Sequence, residues 1–228
     1  MLDSAPRVRP VRPPVPPRVL ACGLGLLVML LATPPDAGAQ SFSGEPIDQA
    51  YVSTVARPRS AQVVTQIRSR AEQGDAQAQN SLAHLYEMGD GVEQSYSEAL
   101  SWYRLAANQG QPAAQESLAH FYLHGHGVPA DLGVATNLYR AAAEQGRASS
   151  QTVLGILRAH EGDAADAVRW FREAIAKGDP AAHNNLAVMY ESGRGVPKSV
   201  AQAERLYRVA AQKGDAEAAS SLERLKDG

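Results

Sequence analysis

Cysteine is almost missing: the chain of 228 residues has one, Cys22. No intrachain disulfide can form, and once the N-terminal segment discussed below is removed, no thiolate remains as nucleophile or metal ligand. Large rings are scarce too, with three phenylalanines and two tryptophans. Packing therefore falls to small side chains, alanine above all, which suits helices that lie close together. The one pronounced apolar run, Val19 to Ala32, has fourteen residues, short of the roughly 20 that a membrane-spanning helix needs. A basic stripe is also lacking, and the formal net charge is −2. Nothing here points to a nucleic-acid partner.

What is present first is an export signal. Met1 to Arg18 is proline-rich and carries Arg7, Arg9, Arg12 and Arg18 against Asp3 alone. The apolar run follows, then Pro34, Pro35 and Asp36, then Ala37-Gly38-Ala39 before Gln40. This order is that of a secretory signal peptide over residues 1–39, cut after Ala39, and implies a periplasmic or secreted protein. The rival is an uncleaved anchor, which the shortness of the run disfavours. Cys22 sits in a segment that looks like a lipoprotein acylation site, but the apolar run continues beyond it. Removing residues 1–39 takes four arginines and two aspartates, so the net charge moves from −2 to −4. Residues 40–60 read as a flexible lead-in.

Next comes an internal repeat. Gly74, Gly110, Gly146, Gly178 and Gly214 close segments of similar composition at spacings of 36, 36, 32 and 36. Aligned on them, one column reads Leu82, Leu118, Leu154, Leu186 and Leu222, and another reads Tyr86, Tyr122, Arg158 and Tyr190. Further columns are Ala99, Ala135, Ala167 and Ala203; Tyr103, Tyr139, Phe171 and Tyr207; and Ala106, Ala142, Ala174 and Ala210. Within a unit the apolar positions step by three and four, the stripe of two amphipathic helices. Between them lie Gly89-Asp90-Gly91-Val92, Gly125-His126-Gly127-Val128-Pro129 and Gly193-Arg194-Gly195-Val196-Pro197. Glycine ends the first helix because it takes the left-handed conformation cheaply, and the valine and proline begin an extended connection. The third unit has His160-Glu161-Gly162-Asp163 instead and is four residues shorter; the deletion falls in a loop.

The expected organisation is a half-repeat over 61–75, full repeats over 76–111, 112–147, 148–179 and 180–215, and a capping helix over 216–228. No hairpin buries its apolar face alone, so the units must stack, with the half-repeat and the last helix hiding the end faces. The fold class is all-α, an α-solenoid of stacked helical hairpins. The L-x-x-x-Y step, the G-x-G-V loop and the A-x-x-x-Y-x-x-A-A-x-x-G second helix resemble the Sel-one-like repeat (SLR) family, relatives of tetratricopeptide repeats, over residues 61–228. That resemblance implies a right-handed superhelix whose concave face is lined by the first helices and binds partners.

On such a hairpin the groove positions are Gln77, Asn80, His84, Glu87 and Met88 in the first unit. The second supplies Ala113, Glu116, His120, Leu123 and His124; the third Thr152, Ile156 and His160; the fourth Asn184, Val188 and Glu191. Gln77, Asn80, His84, Glu116, His120, His124 and Asn184 are the candidate partner-binding residues. His120, His124 and the loop residue His126 have spacing that could suit zinc or copper. No carboxylate or thiolate completes that set, so no metal is assigned, and a pH-responsive interface is an alternative use of the imidazoles.

Catalysis finds no support. Ser81 and Ser117 are equivalent positions, and neither they nor Ser221 sit in a nucleophile elbow. Glu87 and Glu191 are equivalent and read as solvated helix residues. The G-x-G segments follow helices rather than strands, so they are not phosphate loops. The expectation is a non-enzymatic module without cofactors, an exported scaffold, adaptor or regulator with a protein partner. The competing reading is a cell-envelope module for peptidoglycan or exported polysaccharide. Carbohydrate sites present exposed aromatic platforms, whereas the tyrosines here are repeat-core residues.

Overall fold

The computed structural model describes residues 60–226. The expected signal peptide lies outside the described residues, as does the lead-in apart from Ser60. Among the described residues there are ten helices and no strands: α1 (Ala61–Glu72), α2 (Ala76–Met88), α3 (Tyr96–Asn108), α4 (Pro112–His124) and α5 (Leu132–Glu144), followed by α6 (Ala148–Glu161), α7 (Ala164–Ala176), α8 (Ala181–Ser192), α9 (Val200–Gln212) and α10 (Ala216–Lys226). Each helix packs on the next, and α6 also touches α8. The hairpins α2–α3, α4–α5, α6–α7 and α8–α9 therefore form a stack between α1 and α10.

Local chemistry fixes both ends of most helices. Ser95, Asp131, Asp163 and Ser199 precede the second helix of each unit, and each side chain accepts a hydrogen bond from a first-turn amide. Such caps contribute about 1 kcal/mol each. First helices stop at Gly89, Gly125, Gly162 and Gly193, all left-handed. The glycines that close the units, Gly74, Gly110, Gly146, Gly178 and Gly214, have φ between 81° and 94°.

The alanine columns are the contact surfaces between helices. Ala83, Ala119 and Ala187 on first helices, and Ala99, Ala135, Ala167 and Ala203 on second helices, are fully buried. Tyr103, Tyr139, Phe171 and Tyr207 fill the space between these close-packed backbones. A buried ring of this kind contributes about 1.5–3 kcal/mol by removal from water. In the third unit glycine stands where the first-helix column has alanine. A methyl group on Gly155 would lie 2.6 Å from the Phe171 ring.

The long connection between helices is pinned at both ends. Ser95 N–H donates to the Tyr86 carbonyl, Asp131 to Tyr122, and Ser199 to Tyr190, at 2.8–2.9 Å. The same bond, from Asp163 to Arg158 at 2.9 Å, survives in the third unit. The four missing residues thus come out between two fixed anchors, which is why both helices keep their register. The second glycine of the long loop has a separate role, as it presses on the preceding unit. A Cβ on Gly127 would meet the Tyr96 backbone at 3.2 Å, and one on Gly195 would meet the Ala164 carbonyl oxygen at 2.3 Å.

Candidate functional site

Columns that recur from unit to unit are spent on stacking. Arg68 donates to the Tyr86 hydroxyl, Arg104 to Tyr122 and Arg172 to Tyr190, at 2.9–3.0 Å, each joining one unit's second helix to the next unit's first. Where Arg158 replaces tyrosine this rung is missing. Arg140 turns to Asn137, and Arg158 pairs with Glu161 at 2.6 Å and Asp166 at 3.5 Å. Gln109 donates to Gln79 and Gln145 to Gln115, at 2.7 and 2.8 Å, in a second row.

Glu87 and Glu191 are not the solvated residues expected. Tyr103 donates to Glu87 at 2.6 Å, and Tyr207 donates to Glu191 at 2.8 Å. Arg224 on α10 also grips Glu191 through both guanidinium nitrogens. Burial, and then the adjacent carboxylate, push the Tyr103 and Tyr207 hydroxyls well above the usual phenol range. These two carboxylates thus accept from buried phenols. Units two and three place Leu123 and Ala159 at the equivalent positions, and in unit three the ring opposite is phenylalanine, with no hydroxyl to satisfy.

The candidate groove positions divide along the stack. Gln77, His84, Met88, His120 and His160 are exposed, Met88 at 62%. Asn80, Ala113, Glu87, Glu116, His124, Val188 and Glu191 are partly buried. Leu123, Thr152, Ile156 and Asn184 are buried, contrary to the expectation that they face the groove. Leu123 packs with Tyr139 and Leu157, Ile156 with Leu186 and Met189 of the next unit, and α6 touches α8 directly. Several polar members are also engaged between units: Gln77 accepts from Gln111 at 2.9 Å, Glu116 pairs with Arg147, and Thr152 donates to Asp179. Asn80 Oδ1 is buried with no hydrogen-bond partner. His84 lies 3.5 Å from Glu87.

Four of the five exposed candidate positions, Gln77, His84, Met88 and His120, thus lie on α2 and α4, and beside His120 stands a group of imidazoles. Ring centroids of His120 and His124 are 4.2 Å apart, His120 and His126 5.5 Å, and His124 and His126 5.7 Å. His126 stacks on Tyr96 at 5.2 Å and meets the edge of Phe121 at 5.7 Å. Partial loss of hydration beside the packed rings, then the charges of His124 and His126, lower the pKa of His120, against the opposing pull of Glu87 and Glu116. Burial and His126 lower that of His124.

The Sel1 repeat family matches over residues 76–111, 112–146, 150–179 and 180–215, more than half of the chain. This chain belongs to the Sel1 repeat family. Among solved structures, this Sel1 repeat protein is similar to a protective antigen of uropathogenic Escherichia coli with an SLR fold. The identity is 34% and the TM-score 0.67, covering 71% of this chain and 36% of that one. It is likewise similar to a Sel1 repeat protein of Oxalobacter formigenes, at 34% identity and TM-score 0.65, covering 73% of this chain and 49% of that one. The chain therefore spans between a third and a half of those two relatives. No curated protein matches it. Sel1 repeats are generally protein–protein interaction modules and non-catalytic scaffolds.

The two hydrogen-bond ladders and the Tyr–Glu pairs were missed from sequence. A signal was there: Arg68, Arg104, Arg140, Arg172 and Arg208 repeat at the spacing of the unit glycines.

Proposed function

We propose that this Sel1 repeat protein is an exported, non-catalytic adaptor that holds a protein partner against the first helices of its first two units. One observation carries this reading. Most side chains that recur through the units are consumed in stacking, whereas Met88 and the column of His84 and His120, which becomes isoleucine and valine further along, stand exposed on α2 and α4. Specific recognition needs that division, because a stack held by shared residues leaves only the unshared ones to choose a partner. Tyr103, Tyr139 and Tyr207 are buried, and the partly buried Tyr86, Tyr122 and Tyr190 each have an arginine on the hydroxyl, which favours a protein over an envelope polymer. Export rests on the basic, apolar and Ala-Gly-Ala order of the first 39 residues.

The test is crosslinking of the purified chain in periplasmic extract, with mass spectrometry of the products. The comparison is a variant with Gln77, His84 and Met88 all changed to alanine, and its fold is checked by circular dichroism. A protein crosslinked to α2 and α4 and lost in the variant supports the reading. Glycan fragments, or the same products with both forms, overturn it. N-terminal sequencing of the chain recovered from the periplasm is expected to begin at Gln40.

A further inference from the structure

The three imidazoles of the second unit form a cluster that the stacking of the solenoid does not require. The positions equivalent to His120 hold His84, Ile156 and Val188, and those equivalent to His124 hold Met88, His160 and Ser192. In the long loops, Asp90 and Arg194 stand where the second unit has His126. Only unit two brings three imidazoles together.

Backbone geometry makes the cluster. His120 and His124 lie one turn apart on the same face of α4. Gly125 and Gly127, at φ 73° and 67°, fold the loop back so that His126 N–H donates to the Phe121 carbonyl at 3.0 Å. His126 is thereby turned towards the helix end, wedged between Tyr96 and Phe121. Its Nδ1 is buried without a hydrogen-bond partner, which is costly for a polar atom unless something else binds it.

The geometry points to His120, His124 and His126 as a binding site for one divalent first-row transition-metal ion, of the zinc or copper type. A tetrahedral ion about 2.0–2.1 Å from each imidazole nitrogen sets the ring centroids about 5 Å apart. The observed 4.2, 5.5 and 5.7 Å bracket that value. As described, the side chains do not form a preassembled ligand set, so binding closes the cluster by turning His120 and His124 about their side-chain bonds. His120 is exposed and His124 only partly buried, and such rotations of accessible side chains are inexpensive. Three imidazoles without a thiolate suit zinc(II) and copper(II) and leave one coordination position open to water. Glu87 and Glu116 lie close enough to act on His120 electrostatically and favour a cation there. The site shares His120 with the proposed partner surface, but its metal binding is tested without a partner.

The experiment titrates the untagged full chain with zinc(II) by calorimetry at pH 7.5. One ion per chain is expected. His120→Ala and His124→Ala should each weaken it by at least the loss seen for an outer-shell partner, about 10–100-fold, whereas His84→Ala and His160→Ala should leave it unchanged. Because His126→Ala loosens a packed loop, its contribution is read instead in the wild-type chain by electron paramagnetic resonance of bound copper(II), whose nitrogen splitting should report three imidazoles. Absence of saturable zinc binding by the folded chain would overturn the site. So would equal affinity in the His120→Ala/His124→Ala double variant, or a copper spectrum with fewer than three nitrogens.

Discussion

Units two and three share the same two helices and the same anchoring bond between them, at 2.8 Å from Asp131 to Tyr122 and 2.9 Å from Asp163 to Arg158, yet nearly everything around that bond differs. Unit two has the long loop, whose second glycine rests on the Tyr96 backbone, and a tyrosine that accepts from Arg104. Unit three has no such loop, an arginine that cannot accept a hydrogen bond, a phenylalanine in the ring column, and a glycine beneath that ring. The hairpin survives a four-residue deletion because the anchors are backbone groups. Its neighbours adjust because their contacts are side chains. The long loop is therefore an interface element, and unit four uses its own to grip unit three: Gly195 meets Ala164, and Arg194 donates to the Ala159 carbonyl at 2.6 Å.

The largest effect should come from filling that interface. Gly195→Ala places a methyl group 2.3 Å from a backbone oxygen at φ 69°, and neither backbone can yield without separating two units. A loss of about 3 kcal/mol or more is expected. Gly127→Ala, with its closest approach at 3.2 Å, should cost about 2 kcal/mol. Gly178→Ala, with nothing within 4 Å, should cost only the left-handed penalty of about 1–2 kcal/mol. Denaturant melts would rank the three. Equal losses would mean that the loop glycines matter for conformation alone and that the units do not interlock through them.

Much of this architecture was legible in the chain. The glycine spacing, alanine columns and L-x-x-x-Y step gave the helices and the stack, because helical periodicity and left-handed glycine are local rules. Burial along the groove was not legible. Thr152 is covered by Asp179 at the junction with the next unit and Ile156 by Leu186 and Met189 within it, and contacts between units are not written in any single repeat. Glu87 and Glu191 misled for a related reason. A glutamate at a helix end looks solvated until the tyrosine sixteen residues on points its hydroxyl back at it. The imidazole cluster was visible as a spacing, but the fold of the loop that brings His126 to His120 and His124 was not.

A middle-sized effect is expected where unit three departs from the alanine column. Gly155→Ala would bring a methyl group 2.6–2.7 Å from two atoms of the buried Phe171 ring. Overpacking costs about 1–3 kcal/mol, while alanine in place of a helical glycine returns about 1 kcal/mol. The net is a destabilisation of about 1 kcal/mol, read as a lower denaturation midpoint at unchanged slope. Adding Phe171→Leu should recover part of it by vacating the ring's edge. If Gly155→Ala stabilises the chain, the ring has room to move, and the glycine is not there for Phe171.

The smallest effect tests whether the arginine–tyrosine ladder contributes to stability at all. Arg158→Tyr would offer Arg140 the hydroxyl that Arg68, Arg104 and Arg172 each find in the next unit, but it gives up the ion pairs of Arg158 with Glu161 and Asp166. The hydrogen bond gained is worth about 0.5–1.5 kcal/mol, and the charged pairs given up by Arg158, whose side chain is only 19% exposed, about 1.5–3 kcal/mol. The single change should therefore destabilise by about 1 kcal/mol. The informative quantity is the coupling between positions 140 and 158. Arg140→Ala should be nearly neutral in the native background, where that side chain reaches only Asn137 at 3.4 Å. In the Arg158→Tyr background it should cost about 0.5 kcal/mol. Coupling indistinguishable from zero would reduce the ladder to a by-product of repeat geometry. The departure of unit three would then cost the stack nothing, and the burden of joining units would rest on the alanine columns and the loop glycines.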